Sequence, residues 1–227
     1  MCVGERLPLF DQRMPDKRYV LYGMQGSGSA AIEAALDLCG ATWTLVKAAS
    51  WEPDANFEAL KVVNPLGLVP TLVVPDGSAL TESAAILMYL ADAFPESGLL
   101  PTDADAAARA QSQRGLVYIA ANCYSAIGVI DYPERWCMPC DAATAERIRA
   151  GARAKLHRNW EIFADTFSAR PYLAGENLGA LDLLAAVVSR WSGARAHVAI
   201  ARPAFHDALQ RIEKHPNVAP VFARHWP

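Results

Sequence analysis

Apolar and polar positions fall into two regimes along the chain. Residues 19–22 form a short β-type run closed by Gly23, and 23–28 is a loop of glycine and serine. Over 29–38 the apolar positions Ala31, Ile32, Ala35, Leu36 and Leu38 keep helical spacing, and Gly40 stands where a helix-ending glycine belongs. The β-branched and aromatic run 42–46 predicts a second strand, so the opening is a βαβ unit with a parallel pair. A short amphipathic stretch over 57–63 stops at Asn64-Pro65, because the residue before proline disfavours the helical region. Strand character returns over 70–74. Asp76-Gly77 is a hairpin signal that pairs Ala79-Leu80 with that strand, and 81–94 is helical again. After the proline- and glycine-bearing stretch 95–101, every periodic segment is helical: 103–127, 142–167, 181–191 and 203–213. The predicted order is βαβαββα and then about four helices, an α/β unit joined to an all-helical one. The predicted division is an N-terminal extension over 1–18, an α/β domain over 19–94, a linker over 95–101 and an all-helical domain over 102–227.

Composition narrows the classes. The chain has 227 residues, 52% hydrophobic and 20% charged, which excludes a disordered chain. Its 42 alanines favour helix. The longest uncharged run, 115–130, is interrupted by Asn122, Ser125 and two tyrosines and is too short to span a bilayer. No charged segment leads into an apolar one at the start, so no signal peptide and a cytoplasmic setting are expected. A net charge of −3 argues against nucleic-acid binding. That charge is uneven: residues 1–100 carry −6 and 101–227 carry +3, as two units of different character would. Five cysteines at irregular spacing do not form a disulfide framework. Cys137 and Cys140 form a CxxC, but in the helical half and without a second pair, so they read as loop cysteines. The arginines from Arg147 to Arg158 read as a solvated helix face, and the five histidines show neither ligand nor triad spacing.

Two features carry chemistry. In the first, Pro70 opens a strand after the turn at 64–69. A cis Val69–Pro70 bond suits such a turn, and the bend leaves the Val69 backbone free to pair with an extended peptide. In the second, Thr81-Glu82-Ser83 opens a helix. Helix N-termini offer free N–H groups and partial positive charge to a carboxylate. Ser83 adds a hydroxyl and Glu82 can pair with an amine, so the pair suits an α-amino acid head group.

The run NPLGLVPTLVVPDGSALTESAAILMYLAD resembles the N-terminal, thioredoxin-like domain of the glutathione transferases. GENLGALDLLAAVV and HPNVAPVFARHW are similar to that family's later segments, so the likeness spans about 19–227. It implies reduced glutathione as co-substrate, with Val69 pairing with its cysteinyl part across cis-Pro70, Leu68 alongside, and Glu82 and Ser83 holding the γ-glutamyl head. A free thiol of pKa near ~8.5 needs a donor to form thiolate at neutral pH. The resemblance puts that donor in the first loop: Ser27 by alignment to serine-type bacterial members, with Ser29 (otherwise a helix cap) and Tyr22 (otherwise sheet core) as alternatives. Gly28 stands where cysteine-type members carry cysteine, which argues against mixed-disulfide chemistry. An acceptor pocket between the domains would draw on Met24, Tyr118, Asn122, Tyr124, Trp191 and Trp226. The implied protein is a homodimeric, cytoplasmic transferase that conjugates glutathione to a hydrophobic electrophile without a metal. A specialised isomerase, dehalogenase or ether-cleaving lyase, and a non-catalytic binding scaffold on the same fold, are the alternatives. Two departures are Gly179 at a position where the family has serine or threonine, which predicts that Asp182 lacks its usual capping partner, and Leu68 where many members have a polar residue near the glutathione backbone, which predicts the loss of one contact.

Overall fold

The computed structural model describes residues 18–227 except residue 174, with residue 103 as backbone only. The expected extension therefore lies outside the described residues apart from Arg18. Strand β1 (Tyr19–Gly23) runs through the centre of a four-stranded sheet of order β2-β1-β3-β4. It pairs in parallel with β2 (Trp43–Lys47) and antiparallel with β3 (Thr71–Val73), and β3 pairs antiparallel with β4 (Ala79–Leu80). The parallel pair is possible because α1 (Ser29–Leu38) makes the crossover.

Alternation along β1 sorts its side chains. Tyr19 and Leu21 join the large core beneath α1 and α3 (Ser83–Ala93). Val20 and Tyr22 face the opposite side, where Tyr22 packs with Ala48, Val73 and Leu60 of α2 (Ala55–Val63).

The helical half contains α4 (Ala106–Tyr118), a π-helical turn (Ile119–Tyr124), α5 (Ser125–Asp131), α6 (Ala142–Thr166), α7 (Ala180–Val188), α8 (Ala194–Ala201), α9 (Pro203–Glu213) and α10 (Ala219–His225). All nine residues of α7, ALDLLAAVV, are buried. A helix apolar on every side must be surrounded, and α7 packs against α1, α3, α4 and α9. One core therefore runs through both halves. The Ala180 N–H donates to Leu99 O at 2.7 Å, tying α7 to the 95–101 stretch. Helix α10 returns to pack on α1.

Three sequence expectations change. The single helix over 103–127 is a 3₁₀ turn, α4, the π turn and α5, which continues to Asp131. Helix α8 had no apolar signal to reveal it: only Ala194 and Val198 are buried, and Ile200 is exposed. Asp182 does not lack partners. Its Oδ2 accepts the Gly179 N–H at 2.9 Å and its Oδ1 accepts the Leu173 N–H at 2.8 Å. Glycine removes only the reciprocal hydroxyl bond of the capping box. Among the described residues no helix is long and apolar enough to cross a membrane.

Candidate functional site

Three segments converge at the carboxyl end of β1: the loop Met24–Gly28, the turn before β3 and the start of α3. The loop leaves β1 at Gly23, where a β-carbon would collide with the Ser29 side chain. Glycine is thus required for the close approach of strand and helix.

The loop is braced from within. Ser27 Oγ accepts the N–H groups of Met24 (3.3 Å) and Ser29 (3.2 Å) and donates to Ser29 Oγ (3.0 Å). Ser29 Oγ lies 3.3 Å from Glu33 Oε1 and 3.4 Å from Met24 O, both acceptors. Glu33 is buried on α1 and meets α10, where His225 Nε2 lies 2.7 Å from Glu33 Oε1. Arg224 Nη2 lies 3.4 Å from Oε2. The Gly26 N–H donates to His225 Nδ1 at 3.0 Å, so Nε2 carries the imidazole proton toward Glu33. A serine–serine–carboxylate–imidazole chain therefore holds both ends of the loop.

The β3 turn is held by side chains too. The Val69–Pro70 bond is cis. Asn64 Nδ2 donates to Leu68 O (3.1 Å) and to Thr71 Oγ1 (2.9 Å), and Thr71 Oγ1 donates to Leu68 O (2.8 Å). Leu68 places its carbonyl inward and its side chain in solvent. Among the described residues, no hydrogen bond engages the Val69 backbone. Helix α3 starts at Glu82 with no side-chain cap and no acid in its first turn, and Ser83 follows, buried. Glu82 has φ +65° and ψ 108°, a backbone state that costs a non-glycine residue about 1–3 kcal/mol.

The helical half supplies the facing wall. Tyr124 ends the π turn, where the Ser125 N–H reaches back five residues to Ala120 O. Its ring packs on Trp191, centroids 5.5 Å apart. Its Oη lies so close to Gly28 that a β-carbon there would collide with it. Burial, with Glu82 and Asp131 nearby, pushes the Tyr124 phenol up to about 12. A groove of about 620 Å³ opens beside the loop between Met24, Gln25, Lys47, Glu52, Pro53 and Asp54.

The other candidates have their own packing partners. Tyr22 is buried under α2, and burial raises its pKa. Tyr118 packs on Phe163 and Phe167 and donates to Asn159 O at 3.0 Å, inside the helical half. Asn122 Nδ2 donates one turn back to Tyr118 O, and its own carbonyl accepts from Asn159. Trp226 packs on Phe222 and His225 under the Arg190 guanidinium. Sequence reasoning missed Lys47, a lone lysine ending a strand, and the Glu33–His225 pair, whose members are 192 residues apart. No cluster of metal-binding side chains occurs among the described residues.

A sequence profile of the glutathione S-transferase N-terminal domain matches residues 29–93. The uncharacterized GST-like protein YncG of Escherichia coli (strain K12) is 30% identical over 173 residues, 75% of this chain and 80% of that protein. The chain belongs to the glutathione S-transferase family. Among solved structures, a glutathione transferase homolog from Sulfitobacter with bound glutathione has a TM-score of 0.80 at 24% identity, covering 92% of this chain and 98% of that one. A sphingomonad glutathione S-transferase complexed with glutathione has a TM-score of 0.71 at 25% identity, covering 90% and 97%.

Proposed function

We propose that the protein binds reduced glutathione where these three segments meet and transfers it, as thiolate, to an electrophilic small molecule. The observation that carries the reading is the start of α3. An uncapped helix N-terminus, a buried Ser83 and a Glu82 held at positive φ stand beside a free Val69 backbone. The γ-glutamyl carboxylate takes the α3 N–H groups and the Ser83 hydroxyl, and Glu82 takes the amine. The cysteinyl amide pairs with Val69, as an added strand pairs with a sheet edge. The glycyl carboxylate extends toward the Lys47 ammonium along the groove. The sulfur then lies between the α1 N-terminus and Pro70. A hydroxyl donor and a helix N-terminus both favour thiolate there. Met24, Tyr124 and Trp191 border the space left for the acceptor.

In this reading 19–94 is the glutathione-binding domain, 95–101 the linker and 102–227 the helical domain. The protein works as a cytoplasmic homodimer, in keeping with free thiols at Cys39, Cys123, Cys137 and Cys140.

Calorimetric titration of glutathione at neutral pH, with Glu82→Ala alongside, tests the site. Saturable binding that weakens at least tenfold in the variant is expected. No binding at millimolar glutathione would overturn the proposal. A panel of chromogenic electrophiles then defines the reaction.

A further inference from the structure

We infer that the Tyr124 hydroxyl, from the helical half, is the group that meets the glutathione sulfur, and that Ser27 serves to brace the loop. This rests on the glutathione reading above and assigns the thiol contact within it.

The first ground is position. A β-carbon on Gly28 would collide with Tyr124 Oη and would lie 3.4 Å from Pro70 Cδ. The Tyr124 oxygen thus occupies the space that a side chain at residue 28 would fill, between the α1 N-terminus and the cis-proline. In the glutathione reading above, the cysteinyl side chain of a peptide paired at Val69 enters this space.

The second ground is availability. Among the described residues Tyr124 Oη has no hydrogen-bond partner, and the atom is not sealed from solvent. The single Ser27 proton is donated to Ser29, and both Ser27 lone pairs take backbone N–H groups. The Ser29 hydroxyl is engaged by Glu33 Oε1 and Met24 O.

The third ground is aim. The π turn inserts an extra residue into its helical turn and redirects the side chains around it, a device frequent at functional sites. Trp191 packs on the Tyr124 ring and limits its swing. Because the phenol is pushed up to about 12, it stays protonated and a donor throughout the neutral range. No covalent step is involved: the thiol proton leaves to solvent, and the sulfur accepts the Tyr124 O–H.

The test is the ultraviolet thiolate absorbance of bound glutathione, titrated against pH, with affinity measured in parallel by calorimetry. Tyr124→Phe should keep glutathione affinity within about threefold, because the ring and its packing remain. Its bound thiol should titrate at least one pH unit higher, about a tenfold loss of thiolate at neutral pH. Gly28→Ala, which pushes the tyrosine oxygen aside, should shift the titration the same way. Ser27→Ala should loosen the loop and lower affinity while the midpoint of the bound thiol stays in place. An unshifted titration in Tyr124→Phe, or a shift of equal size in Ser27→Ala, overturns the inference. Failure of the unmodified protein to bind glutathione overturns it together with the underlying reading, and calorimetry alone reveals that outcome.

Discussion

Helices α3 and α7 begin in opposite ways. Helix α7 closes on itself: Asp182 is fully buried and accepts the N–H groups of Gly179 and Leu173. Helix α3 has no capping side chain and no acid in its first turn, and it enters through a residue at positive φ. Both starts are rich in unpaired N–H groups before capping. At α7 the chain supplies the negative charge, and that end is structural. At α3, among the described residues, no side chain caps the first N–H groups and no hydrogen bond engages the neighbouring Val69 backbone. Helix α1 falls between them. It also lacks a side-chain cap, but its first turn is tied through Ser29 and Glu33 to α10. Open helix starts alone do not mark a site, since α8 to α10 also lack side-chain caps. What distinguishes α3 is the strained entry combined with the neighbouring edge.

The largest effect is expected at the closed end. Asp182→Ala removes a charged acceptor from two backbone donors in a fully buried setting. Hydrogen bonds to charged groups are worth roughly 1.5–3 kcal/mol each. Chemical denaturation should show a loss of about 3 kcal/mol or more, with the residual folded protein binding glutathione as before. A loss below about 1 kcal/mol would mean that α7 is held by packing alone.

The intermediate end should give an intermediate loss. His225→Ala leaves the Gly26 N–H and Glu33 Oε1 without their partner. A hydrogen bond to a charged group is worth roughly 1.5–3 kcal/mol, and the Gly26 N–H loses its acceptor as well, while Arg224 remains near Oε2, so about 2–3 kcal/mol is expected. The loop should loosen as well, so amide exchange at Gly26 and Ser27 should speed up in the variant. Unchanged exchange there would show that α10 does not brace the loop.

Much of this arrangement could be read from the chain. The alternation at 19–22 and the spacing over 29–38 revealed the sheet and its crossover because each residue's environment there depends on near neighbours. The turn at 64–70 was equally local: Asn64, Leu68 and Thr71 brace each other within eight positions. The direction of the Ser27 hydroxyl was not legible, because it depends on Glu33, which in turn is held by a histidine 192 residues away. Nor was the aim of the Tyr124 hydroxyl, although the resemblance marks the residue as a pocket candidate. Its ring sits at helical spacing among other aromatics, and only the π turn at Ile119–Tyr124 and the bare Cα of Gly28 explain where its oxygen goes. Pattern reveals elements. It does not reveal which side of an element meets a distant partner.

The smallest expected effect has the opposite sign. Glu82→Gly removes the side chain that makes φ +65° costly. The strain is worth about 1–3 kcal/mol, and part of the gain is lost to the added freedom of glycine in the unfolded chain. A net stabilisation of about 1 kcal/mol is expected, read as a rise of about 2–4 °C in Tm for a chain of this size. The same change removes the carboxylate offered to the ligand amine, so glutathione affinity should fall about tenfold or more. Stability up and binding down, in one substitution, is what a residue kept in strain for a ligand should show. A structural Glu82 would do otherwise: its loss would lower Tm or leave affinity alone, and α3 would then be an open helix start with no assigned ligand.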